Sequence, residues 1–232
     1  MNCTPSLSRA MRVSLLCATS ILALVARADA QVFDVASSGF YAGTNLASGT
    51  GGMAGDASFF GRTGSLIEGP SQGASQGVQV GYDAVMTSGL LVGFELGLSD
   101  GTITDSQSQP NFEGTGETLF YDRSLTRLAL AQAKIGWKHD KVSVFGLGGL
   151  ARAQGSISGG YGVADNEGFS GTTEFGGWTI GLGADFALSD HMSVGAAYNY
   201  VSLSADDLTQ NGVSVDQEMD TRIAKLVLNF HF

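Results

Sequence analysis

Three histidines, His139, His191 and His231, are the chain's whole supply of imidazole bases, and Cys3 and Cys17 are its only thiols. A hydrolase would need one of those histidines beside a serine nucleophile and an acid that orients it. His139 and His191 fall in short turn-like stretches and His231 is next to Phe232, so all three read as polar turn residues. Histidine or cysteine clusters with metal-ligand spacing are missing. Gly146-Leu147-Gly148 and Gly181-Leu182-Gly183 lie inside strand-like patterns and open no helix, so neither passes as a dinucleotide fingerprint. No catalytic, cofactor or metal residue is expected.

The pattern that does carry chemistry is ionic. Asp83, Glu95, Lys134, Asp185 and Lys225, with Gln132 and Asn199, each occupy one phase of a run in which apolar residues hold the other phase. Period two sends successive side chains to opposite faces of a strand. Both signs therefore share one face. Glu95 and Lys134 fall on neighbouring runs, where an ion pair is expected, and Lys225 is expected to reach Asp185 or Asn199.

Eight such runs position these groups. Phe40, Ala42 and Leu46 form the first, Val78 to Met86 the second, and Leu90 to Leu98 the third. Ala131 to Trp137 is the fourth, Val142 to Ala153 a Gly-rich fifth of ambiguous facing, and Trp178 to Leu188 the sixth. Met192 to Tyr200 is the seventh, and Ala224, Leu226, Leu228, Phe230 and Phe232 make the last. Strands of roughly ten residues suffice to cross a bilayer when tilted. Thr87-Ser88-Gly89, residues 138–141 and Ser189-Asp190-His191 read as short turns, whereas residues 50–75, 100–123, 155–173 and 204–219 read as long polar loops.

Residues 1–30 have a separate character. Arg9 and Arg12 precede an apolar stretch from Val13 to Val25, followed by Ala28-Asp29-Ala30. This is the pattern of a cleaved secretory signal peptide, with 31–232 as the exported domain. The apolar stretch is too short for a helical span, which needs ~20 residues. Leu16 before Cys17, and Ser14 three residues before it, reject a lipoprotein anchor. The exported part then has no cysteine and hence no disulfide. Losing Arg9, Arg12, Arg27 and Asp29 takes the net charge from −10 to −12, which excludes a basic nucleic-acid footprint.

A soluble sandwich would bury the apolar face, and a membrane barrel would turn it to lipid. Three features favour the barrel. The other face is rich in glycine (Gly43, Gly81, Gly93, Gly181, Gly183, Gly195), as a narrow eight-stranded interior requires. The charges avoid the apolar face, where each would cost about 2–4 kcal/mol near the midplane. Phe40, Trp137, Phe186 and Phe232 group near one set of strand ends and Trp178 and Tyr200 near the other, as two interfacial girdles would. The expected fold is an all-β, eight-stranded antiparallel up-and-down transmembrane barrel with short periplasmic turns and long extracellular loops.

The segments Gly39–Gly43, Val78–Tyr82, Val92–Leu96, Gly148–Ala151, Gly177–Gly181 and Leu228–Phe232 resemble the small porin-like outer-membrane β-barrel proteins of Gram-negative bacteria, akin to the transmembrane domain of outer-membrane protein A. The resemblance covers 31–232. It implies a multi-pass outer-membrane location, and that Phe232, with Phe230 and Leu228, is the signal read by the barrel assembly machinery. It also implies that the peptidoglycan-binding domain of longer relatives has no room after Phe232. The expected role is structural: a filled barrel contributing to envelope integrity, with at most small porin-like permeability. The alternative is an adhesin or ligand-binding surface antigen. It would act through acidic loops, with Asp100, Asp105, Glu113, Glu117 and Asp122 in the second and Asp206, Asp207, Asp216, Glu218 and Asp220 in the fourth. Such carboxylates could share divalent cations with lipopolysaccharide phosphates. An enzyme is the least favoured reading. The expected surroundings are outer-membrane lipid and lipopolysaccharide, without nucleic acid and with the oligomeric state open.

Overall fold

Alternating β-branched and aromatic residues favour extended chain, and a strand in a membrane must pair on both edges. The chain meets that demand by closing on itself. The computed structural model describes residues 38–59, 62–110, 118–161, 169–210 and 213–232. The expected signal peptide lies outside the described residues.

The strands are β1 (Gly39–Phe59), β2 (Arg62–Val85), β3 (Leu90–Gln109), β4 (Leu119–His139), β5 (Val142–Tyr161), β6 (Phe169–Ser189), β7 (Met192–Gln210) and β8 (Val213–His231). They form a closed barrel in sequence order. Every neighbouring pair is antiparallel, and β8 returns to β1 in a register that runs from Tyr41 opposite His231 to Ser58 opposite Ser214. Both ends of the described chain lie at the end with short turns, where the Phe232 amide donates to the Phe40 carbonyl at 3.0 Å. Two of those turns use left-handed backbone, with Gly89 at φ 88° and Asp140 at φ 52°.

Strand length departs from expectation. The strands run to between 19 and 24 residues, about twice what the alternation suggested. Most of each stretch expected as a long loop continues the ladder instead, as in Gly51 opposite Ser71 or Ser156 opposite Thr172. The physical reason is a change of phase in polarity. Outward residues switch from Leu98 to Asp100 on β3, from Ala129 to Arg127 on β4, from Leu150 to Arg152 on β5 and from Ala224 to Arg222 on β8. The apolar-outward pattern stops there, but the strand does not.

The outward apolar band thus covers only one half of the barrel, next to the short turns. It includes Leu46, Leu96, Ile135, Leu150, Leu182 and Leu226, all exposed. The expected girdles lie at its edges: Phe40, Trp137, Phe186 and Phe232 at one, Trp178 packed against Tyr200 with ring centroids 5.5 Å apart at the other. An apolar belt about 25 Å tall flanked by aromatics is the mark of an outer-membrane barrel, with short turns in the periplasm and the longer end outside. The ambiguous fifth strand also resolves. Val142, Val144 and Leu150 face out, and Phe145 and Leu147 face in.

Beyond the band the strands form an outer extension whose inside is largely apolar. Ile103, Leu125, Leu128, Leu130, Phe175, Val201, Leu203, Met219 and Ile223 belong to one buried cluster there. A bulge on β4 marks the entry to this zone: Thr126 and Arg127 are both exposed, and Leu125 and Leu128 on either side both point inward.

Candidate functional site: the filled interior

The interior of the membrane-level half is built from the residues singled out by the alternation. Asp83, Glu95, Gln132, Lys134, Asn199 and Lys225 are buried, and Asp185 is half-buried. β2, β3, β4, β6, β7 and β8 each turn at least one of them inward. Lys134 is 2% exposed, on a strand whose outward neighbours Ala133 and Ile135 face lipid. Burying an ammonium this deeply costs several kcal/mol unless opposite charge and hydrogen bonds surround it.

They do surround it, but with other partners than expected. Lys134 Nζ donates to Asp83 Oδ2 at 3.0 Å and lies 3.8 Å from Asp185 Oδ2. It forms no ion pair with Glu95. Glu95 is instead 3.5 Å from Lys225 Nζ, and Lys225 pairs with neither Asp185 nor Asn199. Inward side chains on adjacent strands of a narrow barrel converge on its axis, so partners are found across the lumen as readily as along the wall. Lys134 on β4 thus meets Asp83 two strands away on one side and Asp185 two strands away on the other.

Tyr41 joins the two ion clusters, and sequence reasoning assigned it no role. Its hydroxyl donates to Glu95 Oε2 at 2.9 Å and accepts from Lys134 Nζ at 3.4 Å. Lys134 Nζ also lies 4.8 Å from the Tyr41 ring centroid and 4.3 Å from that of Phe145, so two aromatic faces complete its surroundings. Gln79 extends the network: its amide donates to Asn229 Oδ1 at 2.9 Å and to Glu95 Oε2 at 3.4 Å, and its carbonyl accepts from Asn45 at 3.3 Å. Gln132 donates to Asn199 Oδ1 at 3.2 Å on the opposite side. The one available signal for Tyr41, Gln79, Asn45 and Asn229 was their phase, which they share with Gly43 and Gly81.

Glycine makes room for these side chains. A Cβ on Gly81 would run into the Tyr41 ring, and one on Gly183 into the Phe145 ring. The two largest interior side chains of this zone are therefore seated in notches on the neighbouring strands, over their own register partners.

At the far end of the extension a second ionic site appears. Arg123 Nη2 donates to Asp105 Oδ2 at 2.7 Å, with both side chains almost wholly buried. Asp105 was expected among exposed loop carboxylates. It is an interior residue of β3, placed there by the strand extension. Asp100, Asp122, Glu218 and Asp220 are exposed, whereas Glu113 and Glu117 lie outside the described residues.

His231 also departs from expectation. It is half-buried on the inner face of β8, not a solvated turn residue, and its Nε2 is 2.8 Å from Ser193 Oγ. Asp83, Asp185 and Ser143 line the same small periplasmic cleft. Among the described residues no carboxylate bonds the other ring nitrogen, so the pair lacks the orienting acid of a nucleophilic triad. The expected assembly residues Leu228, Phe230 and Phe232 all face outward along β8.

The chain resembles known proteins at three levels. The outer membrane protein beta-barrel domain family matches residues 16–232. The 31 kDa outer-membrane immunogenic proteins of Brucella melitensis and Brucella suis are each 26% identical over 162 residues, 67% of this chain and 61% of the relative. The chain thus spans about three-fifths of the length of these curated relatives. The crystal structure of the outer membrane protein OprG from Pseudomonas aeruginosa aligns with a TM-score of 0.51 at 13% identity, over 84% of this chain and 96% of that one, a likeness of fold alone. With its closed ring of strands, its lipid-facing belt and a family match that reaches Phe232, the chain belongs to the β-barrel family of Gram-negative outer-membrane proteins.

Proposed function

We propose that this protein is a structural surface barrel that strengthens the outer membrane and holds a rigid extension above it, without conducting solutes. The observation that supports this reading is the two-storey filling of the lumen. Lys134 and Lys225 are locked among carboxylates at membrane level, and Leu125, Leu128, Phe175 and Ile223 close the level above. Eight strands enclose only enough space for side chains to fill. Planar-bilayer recording of the refolded protein should show no large steady conductance. A stable open channel would sink the proposal, and a deletion strain with unchanged envelope permeability would remove its structural half. Leu228, Phe230 and Phe232 serve in this reading as the signal to the barrel assembly machinery, and the lipid belt contacts outer-membrane lipid and lipopolysaccharide.

A second reading, a ligand-binding surface antigen, draws on the exposed carboxylates of the extension: Asp100, Asp122, Glu174, Glu218 and Asp220. The Brucella relatives are outer-membrane immunogenic proteins. Rigid scaffolds commonly carry such functions at their tips. Trimming the extension while keeping a folded barrel should abolish host-ligand binding to whole cells if this reading holds.

The Ser193–His231 pair is read as structural, and the protein as no enzyme. A fluorophosphonate probe should leave Ser193 unlabelled; stoichiometric labelling would reopen catalysis.

A further inference from the structure

The lipid-facing wall is not uniformly convex. Across β6, β7, β8 and β1 it carries an open apolar groove of about 720 Å³. Its floor is made of small side chains: Ala184 stands opposite Ala196, and Ala224 opposite Ser48. Leu182, Tyr198, Leu226 and Leu46 stand up around it. The volume is in the range of pockets that hold sizeable apolar ligands. The groove's place along the barrel matters more. Ala224 is the last apolar outward residue of β8 before the belt ends, and the next outward residue is Arg222. The groove therefore reaches the outer edge of the belt on β8 and β1, with a guanidinium at that lip, and runs down to Leu182 and Ala184 in mid-belt on β6.

Arg222 is exposed and makes no ion pair among the described residues. Its register neighbours are Thr50 on β1 and Tyr200 on β7, both uncharged. The carboxylate close by, Asp220, lies beside the Tyr200 hydroxyl, and Tyr200 is packed on Trp178. The acid thus sits beside the aromatic girdle, and among the described residues no ion pair joins it to the guanidinium.

An acyl-sized groove under an unpaired cation fits an amphiphile with an apolar chain and an anionic head. Two occupants compete with it. A second copy docking through this face would be related by a two-fold axis along the membrane normal, and an isologous contact would bring the two Arg222 side chains together at one height. Phospholipid belongs to the inner leaflet of this membrane, whereas Arg222 and the end of the groove beneath it are at the outer edge of the belt. We propose that the groove seats an acyl chain of lipid A, with a lipid A phosphate held by Arg222.

The experiment is native mass spectrometry of the full chain extracted from outer membranes in mild detergent, then stripped and offered purified lipid A or phosphatidylglycerol. Wild type should carry a lipid A adduct that phosphatidylglycerol does not replace. Arg222→Glu should lower its retention about fivefold or more, since one basic residue at a membrane surface contributes about 1 kcal/mol. Ala196→Phe, which fills the floor, should remove the adduct. Heat-dependent gel mobility reports whether each variant is folded, and Arg222→Gln with Ala196→Leu are the milder pair if either fails. Equal lipid A retention by wild type and both folded variants would overturn the proposal. So would equal retention of phosphatidylglycerol by wild type, or a protein dimer lost in Ala196→Phe with no change in bound lipid.

Discussion

The membrane-level half of the barrel and its outer extension share continuous strands but opposite polarity. At membrane level Leu182 and Leu226 face out while Lys134 and Asn199 face in. In the extension Arg222 and Asp220 face out while Ile223 and Met219 face in. The backbone and its ladder are the same in both, so the solvent outside the wall sets the pattern. Lipid offers an apolar side chain as good a home as any protein interior, and burial inside gains little there. What holds that half together is backbone pairing, which lipid enforces, and the matched charges of the lumen. The extension stands in water and is held by ordinary apolar burial, worth roughly 25 cal/mol for each Å² removed from water.

The comparison breaks most visibly at Lys134. Lys134→Met keeps the length of the side chain and deletes the charge. It leaves Asp83 and Asp185 at the periplasmic cleft without their shared cation and takes a donor from Tyr41. Removing one partner of a buried ion pair costs about 3–5 kcal/mol. Urea unfolding of the barrel in lipid vesicles should register a loss of that size. A loss under about 1 kcal/mol would mean the network fills space without holding the barrel, since ordinary surface changes fall within about 0.5 kcal/mol. Lys225→Met should cost less. Glu95, its partner, keeps the hydrogen bonds from Tyr41 and Gln79.

How much of this could be read from the sequence follows the same divide. Eight strands, the aromatic edges and the inward phase of Asp83, Glu95, Lys134, Asp185 and Lys225 were legible, because lipid writes an apolar-out rule onto the belt. The extension was not. Thr102, Ile103 and Thr104 also alternate, but with the apolar residue inward, and beside so many Gly, Ser and Asp residues they read as loop. Tyr41 was visible only as a phase, because its partners Glu95 and Lys134 come from β3 and β4 and meet it by barrel closure. Pairing across the lumen depends on barrel width and stagger, and neither is a local property of the chain.

A cavity in the extension tests the other half of the comparison. Leu203 is 3% exposed and belongs to the apolar cluster. Leu203→Ala should cost about 3 kcal/mol, inside the 2–5 kcal/mol spread for such truncations. Its signature should be local. Protease should cut the extension sooner while the membrane-level half keeps its heat-dependent gel mobility, because regions held by separate contacts open separately. Loss of the whole barrel at once would show that the two halves fold as one cooperative unit.

The smallest effects come from the outer surface, and they sharpen the boundary best. Leu182 and Thr104 are both exposed, outward residues on long strands, one in the belt and one beyond it. Arginine at the bilayer midplane costs about 2–4 kcal/mol, falling toward zero near the interfaces. Leu182→Arg should therefore destabilise the vesicle-embedded barrel by an amount in that range. Thr104→Arg should stay within about 0.5 kcal/mol, the ordinary range for a water-exposed substitution. Measured in the same vesicles by the same unfolding titration, the ratio of the two costs places the water–lipid boundary on the wall. If Thr104→Arg cost as much as Leu182→Arg, the bilayer would reach past Asp100 and Arg127, and the extension would be membrane rather than surface.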